Sequence, residues 1–261
     1  GPQASAAVSN TSATLEAGEF TANPTVEATL WFTWTAPYTG SCTADTVSGN
    51  VIDTFLVAYT DNGVLPAAPQ EIARSNDAAG GVGSEVTFGV TAGQTYAFQV
   101  GGMGAARGPF TFRVTLTVPP PGNDNYMNPL AIGGVLPVTV TGVNVGASLE
   151  PFENAGIPET QATLWYVWTA PDTDRYQFDT LTGTTFDTTL TVFTGSGGPV
   201  PPGGESMVGA NDDASPAVLG SQVIIRATAG QTYAIQVGGL RASRGEFTLT
   251  VSLALPPNDD Y

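Results

Sequence analysis

One eight-residue segment occurs twice, and the two copies agree at nearly every position: Leu30-Trp31-Phe32-Thr33-Trp34-Thr35-Ala36-Pro37 and Leu164-Trp165-Tyr166-Val167-Trp168-Thr169-Ala170-Pro171. Together they hold all four tryptophans of the chain. Aromatic and β-branched residues closed by Ala-Pro predict a strand that stops where proline removes a ladder donor and fixes φ. Successive side chains of a strand point to opposite faces, so Leu30, Phe32 and Trp34 share one face and Trp31 takes the other; Leu164, Tyr166, Trp168 and Trp165 follow the same division. Large apolar groups on both faces predict an interior strand rather than an edge. A buried tryptophan removes roughly 150–250 Å² from water, worth on the order of 4–6 kcal/mol as an upper bound, so two per copy are enough to anchor a small core.

The rest of the chain repeats around these strands. At one constant offset Glu16 and Glu19 match Glu150 and Glu153, Asp45 matches Asp179, and Asp53-Thr54 matches Asp187-Thr188. Two insertions in the second copy, Gly195 to Gly204 and Ala214 to Leu219, then move the register. After them Thr91-Ala92-Gly93-Gln94-Thr95-Tyr96 matches Thr228-Ala229-Gly230-Gln231-Thr232-Tyr233. Added length of this kind is tolerated in loops, which supports the alignment. The expected division is a first domain over 1–118, a proline-rich linker over 119–123 and a second domain over 124–255. Residues 256–261 then restate the start of the second copy: Asn258-Asp259-Asp260-Tyr261 follows Asn123-Asp124-Asn125-Tyr126, as expected of a piece of a longer array.

With Gly 32 and Pro 20 in 261 residues and no sustained helical period, many short strands joined by tight turns are expected. In the second copy these fall near 137–148, 163–169, 174–180, 187–193, 206–210, 221–227, 232–238 and 246–253. Alternating patterns over about eight strands predict an all-β chain of two tandem antiparallel β-sandwich domains of jelly-roll type. The glycines from Gly101 to Gly108 precede a strand rather than a helix, so they are read as a hairpin connection and not a phosphate loop.

Charge and absences narrow the chemistry. Asp+Glu 23 against Lys+Arg 7 leaves a net charge of −16, a field that repels nucleic acid and anionic membrane surfaces while attracting divalent cations. No apolar run is long enough to span a bilayer, so no membrane insertion is expected. With His 0 and no lysine there is no imidazole for a catalytic triad, no Schiff-base amine and no phosphate-loop lysine. The single Cys42 has no internal disulfide partner and is aligned with Tyr176, which predicts a buried packing residue.

The candidate metal ligands are the acids repeated in both copies: Glu16, Glu19, Asp53 and Asp77 in the first, Glu150, Glu153, Asp187, Asp212 and Asp213 in the second. Calcium takes six to eight oxygen ligands, which loop carboxylates, Asn side chains and carbonyls supply. Asp212-Asp213 against a single Asp77 predicts the stronger site in the second copy. The competing reading makes these residues, with Asp45 and Asp179, turn closers bonded to their own backbone. Paired carboxylates also serve glycoside hydrolysis, but acids that recur in both copies beside turn residues single out no unique acid/base pair, and the chain is read as non-enzymatic. Trp31 and Trp165 are candidates for stacking on sugar rings if exposed, and core residues otherwise. Arg107 and Arg244, each before a glycine, are candidates for binding a carboxylated polymer or for an ion pair with a neighbouring acid.

Taken in order, Trp-aromatic-x-Trp-Thr-Ala-Pro, the run Phe186 to Gly195, Asn211-Asp212-Asp213, the run Ala229 to Gly239 and Gly245 to Leu249 resemble the bacterial pre-peptidase C-terminal domain family, over nearly the whole of both copies. The resemblance implies a jelly-roll-like sandwich without catalytic activity, found beside the catalytic domains of secreted enzymes or in arrays within large surface proteins. Some such domains bind calcium or a polymeric substrate. By likeness to the collagen-binding domains of clostridial collagenases, it also implies calcium ligands in an Asn-Asp segment entering the sandwich. Asn123-Asp124 and Asn258-Asp259 stand there, with prolines where those relatives carry glutamates.

The expected function is that of an extracellular or cell-surface bacterial repeat module, acting in adhesion or as a spacer beside neighbouring repeats of the same chain, with calcium as its cofactor. The alternative is an accessory module that binds a polysaccharide or protein polymer for a secreted hydrolase.

Overall fold

The computed structural model describes residues 3–255 apart from 18, 20, 21, 62–69, 79, 152, 155 and 196–205. The chain divides into two units, Gly1–Val118 and Pro119–Tyr261. In the first unit β1 (Gln3–Ser9), β3 (Gly40–Asp45), β6 (Glu85–Val90) and β8 (Pro109–Thr117) form one sheet in the order β1-β8-β3-β6. The other sheet, ordered β2-β7-β4-β5, consists of β2 (Thr29–Thr35), β4 (Thr54–Thr60), β5 (Gln70–Ser75) and β7 (Thr95–Gly102). All pairings within this unit are antiparallel, and two sheets built from strands 1, 8, 3, 6 and 2, 7, 4, 5 are the arrangement of a jelly roll.

The side-chain pattern follows from position in this sandwich. In β8 burial alternates, with Phe110, Phe112, Val114 and Leu116 inside, as a strand with one wet face requires. In β4 nothing from Thr54 to Tyr59 is exposed, because Phe55, Val57 and Tyr59 are covered on the outer face as well. The core between the sheets is filled by Leu56, Phe98, Val100, Phe112 and Leu116, with Cys42 fully buried as expected.

The second unit repeats this plan. β10 (Val138–Val143), β12 (Asp174–Asp179), β15 (Gln222–Ala227) and β17 (Glu246–Leu253) form a sheet ordered β10-β17-β12-β15. Facing it are β11 (Thr160–Thr169), β13 (Thr188–Thr194), β14 (Met207–Asn211) and β16 (Thr232–Leu240), extended by β9 (Leu130–Ile132) into the order β14-β13-β16-β11-β9. Strand β9 runs parallel to β11, with Leu130, Ala131 and Ile132 opposite Tyr166, Val167 and Trp168.

Turns and close approaches recur too. In Thr-Ala-Gly-Gln-Thr-Tyr the glycine takes a left-handed φ, +77° at Gly93 and +75° at Gly230, and the tyrosine hydroxyl five residues on accepts the threonine N–H at 2.9 and 3.0 Å. At Gly102 and Gly239 a Cβ would stand 1.9 Å from the carbonyl oxygen of Ala106 or Ser243, which explains the paired glycines at the end of β7 and within β16.

The structure corrects the strand-level expectations at three points. β9 lies outside every expected strand, while β10 falls within 137–148 as expected. Among the described residues β2 is an edge strand of its sheet, not an interior one. The glycines after β7 do not close a hairpin, because β7 and β8 belong to opposite sheets and the chain crosses between them. The loop Gly195 to Gly204, apart from Gly195, lies outside the described residues, as does 256–261.

Candidate metal centre

Asp187 immediately precedes β13, and Asp212-Asp213 immediately follow β14. The two strands pair with Leu190 opposite Asn211, so this register carries the three aspartates to the same end of the sheet. One carboxylate oxygen of each lies within 4.8 Å of the others, the only such group of three or more acidic, His or Cys residues among the described residues. Calcium–oxygen distances of about 2.3–2.6 Å place ligand atoms on one ion at most about 5 Å apart, which this spacing meets.

Buried hydroxyls hold the loops in place. The Thr180 and Thr188 hydroxyls are bonded at 2.7 Å, Thr188 reaches the Ser221 hydroxyl at 3.0 Å, and Ser221 Oγ donates to the carbonyl of Asp212 at 2.6 Å. Leu240 N–H donates to the Asp187 carbonyl, and the Asn211 side chain bridges Gln222 N–H and the Asp213 carbonyl. The aspartate backbones are thus fixed without using their carboxylates. Asp187 Oδ1 and Asp212 Oδ1 are buried and accept no hydrogen bond. Burial, then the neighbouring carboxylates, raises both pKa values, with Arg241 opposing. Buried acceptors without donors that repel each other fit a hard cation bound by oxygen.

The first unit holds a weaker version. Its hydroxyl network is Thr46, Thr54 and Ser84, with Ser84 Oγ donating to the Asn76 carbonyl at 2.8 Å. Leu56 pairs with Ser75 as Leu190 pairs with Asn211, so Asn76 corresponds to Asp212 and Asp77 to Asp213. Asp53 Oδ1 and Asn76 Oδ1 are again buried and without a donor, and burial followed by Asp77 raises the Asp53 pKa. Here an amide replaces one carboxylate. The hydroxyls were not among the candidate residues, yet they leave a sequence signal: Asp45-Thr46, Asp53-Thr54 and Gly83-Ser84 recur as Asp179-Thr180, Asp187-Thr188 and Gly220-Ser221. The glycines are needed for close approach, a Cβ at Gly220 meeting Thr180 O at 2.7 Å.

The other expected ligands have different work. Glu153 receives the indole N–H of Trp165, the Thr163 hydroxyl at 2.5 Å and Glu150 N–H at 2.8 Å. Burial and the adjacent Glu150 raise its pKa to about 7 despite those donors. Glu19 takes the matching role, accepting from Trp31 Nε1 at 2.7 Å, Gln99 Nε2 at 2.9 Å, Glu16 N–H and the Thr29 hydroxyl. Burial pushes it up, but the Thr29, Glu16 and Gln99 interactions outweigh this and hold it at about 2, while Glu16, hydrogen-bonded to Glu19, is raised. The single Ser148 hydroxyl proton is shared between Glu150 and Asp124, each 2.9 Å from the oxygen. Asp124 also accepts Ser148 N–H at 2.7 Å, and Asn123 clamps the Trp165 backbone, its side-chain amide donating to the carbonyl at 3.0 Å and its carbonyl accepting the N–H at 2.9 Å. None of these residues joins the aspartate triad.

Trp165 is fully buried, which corrects its candidacy for stacking on a sugar, whereas Trp31 is half-buried. Arg107 and Arg244 form no ion pair among the described residues. Arg107 donates to the carbonyls of Ala13 at 3.0 Å and Asn10 at 3.4 Å, and Arg244 to that of Ser243 at 3.4 Å. Asp45 and Asp179 close turns as the competing reading expects, accepting Val47 N–H and Leu181 N–H, and Asp45 also pairs with Arg113 at 2.9 Å.

No family model and no curated protein matches the chain. Among solved structures it is similar to an uncharacterised protein of Burkholderia cenocepacia, with TM-score 0.25 and 11% identity over 91% of this chain and 79% of that one. It is also similar to the tandem CBM22 domains of Paenibacillus barcinonensis Xyn10C, with TM-score 0.25 and 8% identity over 88% and 82%. For the tandem CBM51 modules of a family 98 glycoside hydrolase from Streptococcus pneumoniae the TM-score is 0.23, at 8% identity over 88% and 82%. TM-scores of this size mark no shared fold, and the functional reading rests on the chain's own residues.

Proposed function

We propose that the chain is a pair of non-catalytic extracellular repeat modules from a large bacterial surface or secreted protein, serving as spacer or adhesion segments stiffened by calcium. The observation that carries this reading is the buried, donorless oxygen pair repeated in both units, Asp53/Asn76 and Asp187/Asp212, completed in the second unit by Asp213. A turn needs its side-chain oxygens bonded to nearby N–H groups, as Asp45 and Asp179 are. Asp187 Oδ1 and Asp212 Oδ1 are held apart from any such donor. Calcium would be held by the three aspartates and would supply charge neutralisation, locking the start of β13 to the end of β14.

Tandem construction and the recurring Asn-Asp-x-Tyr start support the array reading. The polymer-binding alternative loses Trp165, one of its two aromatic candidates. Calorimetric titration of the chelator-treated chain tests the metal. One dominant site per chain is expected, with a dissociation constant of about 10⁻⁴–10⁻³ M as in extracellular modules, abolished in Asp212→Ala/Asp213→Ala. Heat unchanged by that double substitution would refute the assignment.

A further inference from the structure

The second unit lines up charged residues along one end of its five-stranded sheet. Asp212-Asp213 follow β14, Asp187 precedes β13, Arg241 follows β16 and Glu159 precedes β11, so the strand order β14-β13-β16-β11 sets the arginine between the aspartates and the glutamate. The backbone ties the row together: Leu240 N–H donates to the Asp187 carbonyl at 3.0 Å, and Arg241 N–H to the Glu159 carbonyl at 2.8 Å. One guanidinium nitrogen of Arg241, Nη2, donates to both carboxylate oxygens of Glu159, at 3.0 and 3.1 Å. Two strained residues hold this pair in place. Ala162 and Arg241, at φ +50° and +56°, are the non-glycine residues with left-handed φ among the described residues. Ala162 lies in the bulge that carries the pairing of β11 back to Thr160, opposite Leu240, and thereby brings Glu159 beside Arg241.

The first unit makes the same turn without the pair. Gly104, the counterpart of Arg241, takes φ +57°, Thr25 stands where the second unit has Glu159, and β2 begins only at Thr29. An ion pair as exposed as Glu159–Arg241 contributes little stability, and a left-handed φ disfavours any side chain. Stability therefore does not explain an arginine at a position that glycine fills freely. Its neighbours do. Beyond burial and the other two aspartates, Glu159 raises the Asp212 carboxyl, while Arg241 lowers both Asp212 and Asp187. A positive charge beside the aspartates stabilises them without metal and opposes the entry of a divalent ion. Given the calcium centre proposed above, on which this rests, we propose that Arg241 is a tethered cation competing with calcium for the aspartate cluster. Glu159 is then a positioning residue that holds the guanidinium aside, and the pair sets the calcium affinity of the second unit.

Calorimetric calcium titration of the chelator-treated full chain tests this on wild type, Arg241→Gly, Glu159→Gln and the double variant, with Asp212→Ala/Asp213→Ala marking the heat that belongs to the aspartate site. Arg241→Gly keeps the turn available, since Gly104 makes it in the first unit, and circular dichroism checks the folding of each chain. Arg241→Gly is expected to bind calcium about fivefold more tightly, the order of effect of one charge removed from beside a divalent ion in water. Glu159→Gln is expected to bind more weakly, because the freed guanidinium turns to the aspartates, and to lose most of that effect once Arg241 is glycine. Calcium affinity unchanged in Arg241→Gly overturns the proposal and leaves the calcium centre standing, as does a Glu159→Gln effect of equal size with and without Arg241. A wild-type chain that binds no calcium overturns both.

Discussion

Glu153 and Glu19 occupy one position of the repeat, and both spend their carboxylates on an indole N–H. That role was not legible in the sequence, because a glutamate in a loop gives no sign that a tryptophan twelve residues on will present its N–H to it. Replacing Glu153 by Gln turns an amide NH₂ toward donors that now meet an oxygen, at a cost of about 1–3 kcal/mol, measured as a lower denaturant midpoint for the second unit. The pH dependence follows from the sign of the shift. Since the folded pKa of Glu153 is about 7 against an ordinary 4.5, its protonated form stabilises the fold at acid pH, and that contribution is lost as pH rises through 4.5 toward 7. In chelator, wild type is therefore expected to melt higher at about pH 5 than at about pH 8, and Glu153→Gln should narrow the difference without abolishing it, because the raised Asp187 and Asp212 act in the same direction. The tryptophans also separate. Trp165→Ala should cost about 3–5 kcal/mol, while Trp31→Ala, starting half-buried, should cost less; equal losses would contradict the difference in enclosure.

At the scale of elements, the repeated Trp-x-x-Trp strands, the Ala-Gly-Gln-Thr-Tyr turns and the strand that became β17 were all legible, because each carries a local pattern. Strand β9 was not. Its three residues lie between Pro129 and Gly133-Gly134, too short for a periodic signal, and it pairs with β11, the strand whose Trp165 backbone Asn123 already clamps. The edge position of β2 was missed for a related reason: two-sided apolar patterning marks a strand meant to be covered but does not say by what. The aspartate site was half legible, since Asp187 and Asp212-Asp213 stood out by repetition while the hydroxyls that fix them are small and common. Strand register now makes Asn76 the counterpart of Asp212, so Asn76→Asp should give the first unit its third carboxylate and a second calcium event by calorimetry. Failure to gain one would mean that oxygen charge is not what limits the first unit.

Over the whole molecule, a net charge of −16 with two sites of mutually repelling aspartates makes stability depend on cations. Asp187 and Asp212 have raised pKa values, so without metal they too lose stability as pH rises above the ordinary aspartate range; protons compete with calcium, and binding should weaken on acidification. Free calcium at about 100 times its dissociation constant adds about 2.7 kcal/mol, a rise on the order of ten degrees in the melting of a unit this size. The most direct test is thermal unfolding of wild type and Asp212→Asn, each in EDTA, in millimolar calcium and in magnesium. The aspartate cluster as a calcium centre predicts a crossing: in EDTA Asp212→Asn melts higher than wild type because a buried repulsion is removed, and in calcium it melts lower because a ligand charge is lost. Curves that keep the same order in EDTA and in calcium would contradict it.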